Sequence, residues 1–257
     1  MRLRNTGLWL LSLVAGAGSA CSPGLGSASR PSLGPASSHV VEQRTVPAPA
    51  PFADSLVTVI EGPFGTDSGF LSEHFQRSIN GYRLVESQRP GAGAYDATEV
   101  FFDPRMVVDS VRAQRHRRGR VVDFDVTYRG RDVSGWLVAG QADSSHRSSI
   151  ATVLPDSAFD TSALMALLPT LPWRVGTKRA LYEFNPENAT TQTVLLTVVG
   201  EDQVTVPAGT FDAFRAELTK PGGLEYWWYT ARAPHRCVKV VSVTNRWHAE
   251  LVSYVDH

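Results

Sequence analysis

From about residue 55 to residue 254 the chain alternates apolar and polar residues with a period of two, in short runs broken by turn residues. That pattern admits little besides antiparallel β-structure, because only a strand sends successive side chains to opposite faces. The cleanest run is 120–128, with Val122, Phe124, Val126 and Tyr128 on one face and Asp123, Asp125 and Thr127 on the other. Asn80-Gly81 lies between the runs 69–79 and 82–87 and reads as a hairpin turn, since both residues tolerate positive φ. Asp103-Pro104 separates 98–102 from 106–112, and Arg129-Gly130 turns the chain from 120–128 into 132–139. Further strands are expected at 55–60, 178–184, 191–199, 203–206, 211–219, 224–230, 236–243 and 247–254. The serine-rich stretch 141–149 is expected to be a loop.

One segment breaks the pattern. Residues 159–168 are expected to form a helix, capped by Asp160 or Thr161 and ended by Pro169. Ala163, Leu164, Met165, Leu167 and Leu168 make it apolar on nearly every side, so it must be buried against the sheet. Consecutive strands with short connections and a single helix imply an antiparallel sheet, and a sheet of so many strands must curl, split or close. The expected fold class is mainly β: a large curved antiparallel sheet, half-barrel or open barrel, with one short buried helix.

The N-terminus has the three regions of an export signal: Arg2 and Arg4, the apolar stretch 8–15, and the small residues 16–20. The apolar stretch is far shorter than the roughly 20 residues that cross a bilayer. Ser19-Ala20-Cys21 resembles the end of the lipobox of bacterial lipoproteins, in which the cysteine sulfur carries diacylglycerol and becomes the mature N-terminus. Gly18 stands where a branched aliphatic is usual, and Gly18-Ser19-Ala20 also suits the ordinary signal peptidase, so both cleavages stay open. Residues 22–51, rich in Ser, Pro, Gly and Ala, have the composition of a disordered tether. The expected organisation is a signal peptide at 1–20, a tether at 21–51 beginning with the lipidated Cys21, and a single β-rich domain at 52–257. The expected location is the cell envelope, on the periplasmic side or at the outer membrane.

Composition narrows the function classes. The chain carries 25 basic and 25 acidic residues, and loss of Arg2 and Arg4 with the signal leaves a near-neutral domain with no field to attract nucleic acid. The second cysteine, Cys237, sits in an apolar run and reads as a buried, inert thiol. There is no Gly-x-Ser-x-Gly elbow, no phosphate-binding loop and no His-Glu-x-x-His, and the seven histidines are scattered without ligand spacing. No cofactor, metal site or catalytic residue is therefore expected.

The segment Gln203-Val204-Thr205-Val206-Pro207-Ala208-Gly209-Thr210-Phe211-Asp212-Ala213-Phe214-Arg215 resembles the signature of an uncharacterised family of exported bacterial β-proteins. Trp228-Tyr229 and Glu250-Leu251-Val252-Ser253-Tyr254 fit that family's later strands, and Phe102-Asp103-Pro104 and the run 128–133 its earlier hairpins. The resemblance implies a curved sheet wrapped around a helix, similar to the half-barrel of periplasmic lipoprotein carriers, and no activity. Read from the residues alone, Pro207 and Gly209 build a turn, and Phe211 and Phe214 suggest a bulge just after it.

Two clusters are candidate sites. Arg115, Arg117 and Arg118, in a hairpin that also carries Arg112 and Arg120, could bind an anion; the alternative is pairing with Asp109, Asp123 or Asp125 across strands. Tyr226-Trp227-Trp228-Tyr229 puts large rings on both faces of one strand, so Tyr226 and Trp228, with Leu164, Leu167, Phe184 and Phe214, are candidates to line an apolar ligand site. The leading reading is a non-enzymatic envelope lipoprotein, held to the membrane by its lipid, that binds a hydrophobic small molecule or an envelope protein on its curved sheet. The rivals are an envelope hydrolase with dispersed residues and a structural spacer.

Overall fold

The computed structural model describes residues 48–62, 65–89, 94–117, 119–156 and 158–256, so Cys21, the signal segment, the tether as far as residue 47 and Arg118 lie outside the described residues. The chain forms one 15-stranded sheet, antiparallel except at one edge. The N-terminal half is a meander: β1 (Phe52–Gly62), β2 (Gly65–Ser78), β3 (Gly81–Arg89), β4 (Tyr95–Phe102), β5 (Val108–Arg117), β6 (Arg120–Arg129), β7 (Asp132–Gln141) and β8 (His146–Val153). The chain then crosses to the far edge, where β9 (Ala158–Asp160) pairs in parallel with β10 (Lys178–Asn185). From there β11 (Thr190–Val206), β12 (Gly209–Lys220), β13 (Gly223–Thr230), β14 (Cys237–Ser242) and β15 (Trp247–Asp256) return to the middle, and β15 pairs with β1. The sheet is open and curved, not closed into a barrel, with edges β8 and β9.

Most strands follow the alternation. Val122, Phe124, Val126 and Tyr128 are all buried on one face of β6. At the Asp103 turn, Asp103 Oδ1 accepts from the N–H groups of Arg105 (2.8 Å) and Val107 (2.9 Å), which fixes the corner. The hairpin at Asn80 forms one residue earlier than its sequence suggests. Ser78 pairs with Gly81, so Ile79-Asn80 is the loop, and Gly81 takes φ +150° with Phe102 O where a Cβ would stand.

Four expectations need correction. Residues 146–149, expected within the loop 141–149, belong to strand β8: as an edge strand it bonds only to β7 and leaves nearly every side chain in solvent, so it needs no apolar face. The strands expected at 191–199 and 203–206 are one strand, β11, bent by a register shift between Val198 and Gly200 that lets a 17-residue strand curl. That irregularity lies opposite Arg215 and not after the Val206 turn. Phe211 and Phe214 sit on a regular stretch and point to opposite faces, Phe211 meeting the Tyr254 ring and Phe214 the Trp173 ring. Finally, the helix is a single α-turn, α1 (Leu164–Leu167), between 3-10 turns at Thr161–Ala163 and Leu168–Thr170. Asp160 does cap it, Oδ1 accepting from Ser162 N at 2.7 Å, but residues 158–160 are strand and Pro169 lies inside the last turn.

Two apolar clusters fill the curve. One joins Leu164 and Leu168 to the inner residues of β11–β15, and the other joins Ala163 and Ala166 to those of β2–β8 and to Phe184. Trp173 closes the first: its ring stacks on Tyr229 at 4.6 Å, and its Nε1 donates to Leu168 O at 3.0 Å.

Candidate functional site

The register of the first five strands sets a polar row on the inner face of the sheet. Asp54 on β1 faces Glu73 on β2, Glu73 faces Glu86 on β3, and Glu86 faces Thr98 on β4. One layer along, Leu71, Gln88, Asp96 and Arg115 face one another across β2, β3, β4 and β5. Like charges directly opposite in a sheet repel, and burial adds the cost of desolvation, so three adjacent carboxyls have no rationale in sheet stability.

Their proton affinities show the strain. Burial pushes Glu73 well above the usual carboxylate range, and Glu86 and Asp54 beside it add to the rise. Burial likewise raises Glu86, to about 7, against the opposing pull of Arg115; Asp160 pushes the same way as burial. Asp54 is paired with Arg236, whose Nε lies 3.1 Å from its Oδ1. Asp160, fully buried, is raised to about 6 by burial, although it accepts from the Tyr128 hydroxyl and from Ser162.

Two cavities border this row. The first, about 20 Å³, is large enough for a single water and touches Asp54, Glu73, Met165, His235, Arg236 and Cys237. The second, about 160 Å³, is lined by Leu71, Glu86, Gln88, Asp96, Thr98, Arg115 and Arg117. Its arginines are anchored: Arg117 bonds both carboxylate oxygens of Asp96 and, through Nη2 at 3.0 Å, Gln88 Oε1. Arg115 reaches across the curve to Glu187, in the turn between β10 and β11. With the Tyr128–Asp160 bond, this contact ties the two halves of the sheet where no strand pairing does.

The arginine hairpin therefore splits by face. Arg112 and His116 point outward and pair with Asp125 (3.0 Å) and Asp123 (3.0 Å), while Arg115 and Arg117 point inward and line the larger cavity. The apolar candidates do not converge. Leu164 and Phe214 are buried in one cluster, Phe184 is buried and Leu167 half-buried in the other, and none of the six lines either cavity. On β13 the buried rings are Trp227 and Tyr229; Tyr226 and Trp228 are half-buried on the opposite face, where Trp228 Nε1 donates to Asp202 Oδ2 at 2.9 Å.

Sequence reasoning passed over Glu73, Glu86, Asp54 and Arg236. The signal was present in β2, where Leu71, Glu73 and Phe75 share a parity that buries all but Leu71 nearly completely, but an acid between two apolar residues looks like a misplaced surface residue. Phe70, on the other parity, is 59% exposed. Cys237 is buried, and burial together with Glu73 raises its thiol well above the ordinary value, which favours the protonated form. Among the described residues no group of three or more His, Cys, Asp or Glu is placed to hold a metal ion, and no helix is long and apolar enough to cross a membrane.

Residues 66–245 match the family described as Protein of unknown function (DUF3108), and the chain belongs to that family. No curated protein matches it.

Proposed function

We propose that this chain is an exported lipoprotein of the cell envelope, held to a membrane through Cys21, and that it binds a small polar molecule on the inner face of its sheet without transforming it. The observation that carries the binding reading is the larger cavity, where half-buried Arg115 is held by Glu187 and half-buried Arg117 by Asp96 and Gln88. Such pre-set polar groups around a concavity are how a small-molecule site fixes orientation. We place the ligand there and not among the apolar side chains, because Leu164, Phe184 and Phe214 are buried in two packed clusters and line neither cavity. The export signal and the composition of residues 22–51 support the anchor.

Two experiments test the reading. Cys21→Ser should release the protein from the membrane fraction; a wild-type protein that already fractionates as soluble, with an N-terminus other than Cys21, overturns the anchor. Native mass spectrometry of the mature protein extracted from membranes should show a bound small molecule that Arg115→Ala loses. A protein that is extracted without any adduct, and that no member of a panel of small polar compounds stabilises against heat, overturns the binding reading.

A further inference from the structure

The charge inventory of the larger cavity selects a ligand class, an inference that rests on the binding reading above. Arg117 is matched by Asp96 and Arg115 by Glu187, so an entering anion meets no unmatched positive charge. The Glu86 carboxyl makes no hydrogen bond or ion pair among the described residues, although it stands beside Arg115 on the same inner face. Around it are acceptors and donors that a ligand could still use: the Gln88 amide, the Thr98 hydroxyl, and the Arg115 N–H groups that Glu187 does not take. The cavity, about 160 Å³, is of a size for a compact polar molecule. Glu86, Gln88, Arg115 and Arg117 are only half-buried, so the space is reached from solvent.

We propose that this cavity binds a small protonated amine, with the ammonium group against Glu86 and the remaining polar atoms against Gln88, Thr98 and Arg115. An ammonium there completes a charge-assisted hydrogen bond that the protein leaves unmade, and brings the local charge of two arginines and three carboxylates to zero. Neutral polyols can use the same donors and acceptors but leave Glu86 unmatched. Anions bring a second negative charge next to it.

Binding depends on pH through Glu86, and the charged groups facing it are Glu73 on β2, Arg115 on β5 and Asp160 at the head of the helical segment. With Glu86 titrating at about 7, the site is ionised and receptive at pH 8 and protonated at pH 5.5. Affinity for an amine that stays protonated throughout therefore falls as the pH is lowered.

The test is calorimetry of the mature protein with ethanolamine, ethylene glycol and acetate as probes. Ethanolamine should bind at pH 8 with one site per chain, and ethylene glycol and acetate should not. Affinity should fall roughly 10–100-fold in Glu86→Gln, the scale of one hydrogen bond to a charged group, and by at least about 10-fold in the wild type at pH 5.5. The melting temperature of Glu86→Gln, measured alongside, shows that the variant is folded, and the three-probe comparison stands on the wild type alone. Vesicles containing phosphatidylethanolamine separate the sources of the amine: binding to these and to free ethanolamine assigns a lipid headgroup, binding to free ethanolamine alone a soluble amine. Equal binding of ethylene glycol, binding of acetate in place of ethanolamine, or an unchanged affinity in Glu86→Gln overturns the inference. A neutral or anionic compound bound in the cavity would do so while leaving the binding reading intact; no bound compound of any charge overturns both.

Discussion

The two halves of the sheet use the same alternation for opposite ends. On β11–β15 the inner face is apolar and aromatic: Val194, Leu196, Phe214, Leu218, Trp227 and Tyr229 close against Leu164, Leu168 and Trp173. On β1–β5 the inner face mixes Leu84, Val100 and Val111 with Asp54, Glu73, Glu86, Asp96, Arg115 and Arg117. On the first surface the rings stack and the Trp173 indole N–H is satisfied by Leu168. The second holds unmatched carboxyls and open space. The first face buries the Glu225 carboxyl but ties it to Lys220 and the Trp227 indole, whereas the second leaves Glu73 Oε1 and Glu86 without such partners among the described residues, which marks where stability was exchanged for a site.

The largest test of this contrast is Trp173→Ala. It removes the ring that stacks on Tyr229 and Phe214, and it should cost about 3–5 kcal/mol in a urea melt, as deletion of a buried aromatic does. A cost below about 1 kcal/mol would mean that the C-terminal half is as loosely closed as the N-terminal one. Next is Tyr128→Phe, which takes a hydroxyl donor from the buried Asp160 carboxyl and should cost about 1–3 kcal/mol. Because Tyr128 lowers the Asp160 pKa, the same variant should move that titration upward, visible by carboxyl NMR.

Smaller still is the effect of pH on the polar half. Glu73, Glu86 and Asp160 keep protons in the folded chain that an unfolded chain releases near pH 4. Between about pH 4 and 7 the folded state therefore binds more protons, and stability falls as pH rises through that window. Calorimetric melts should show a transition several degrees lower at pH 8 than at pH 5. Glu73→Gln should flatten this dependence, and an unchanged slope would show that the carboxyl row is not its source. The smallest effect belongs to the outer face: Arg112→Ala breaks an exposed pair with Asp125 and should cost under about 1 kcal/mol, in contrast to its inward neighbour Arg115.

Residues 120–128 were legible because each side chain there agrees in polarity with the face it occupies. The same rule hides β2, where Glu73 takes an inward position and Phe70 an outward one. It hides β8 for the opposite reason, since an edge strand in solvent carries no apolar face to detect. The arginine hairpin was recognised as a candidate, but which arginines line a cavity depends on parity relative to a curve that no local pattern encodes.

By itself the sequence determined the fold class, the position of most strands along the chain, a cap at Asp160 or Thr161 and the corner at Pro207, because these rest on φ preferences and on the polarity of near neighbours. The tertiary structure alone decided that Glu73 and Glu86 stand side by side and that Arg115 reaches Glu187, 72 residues away. It also decided that Trp227 and Tyr229, and not Tyr226 and Trp228, close the core. The physical reason is that burial belongs to the assembled sheet: a strand's alternation says that its two faces differ, and only the direction of curvature says which of them is inside.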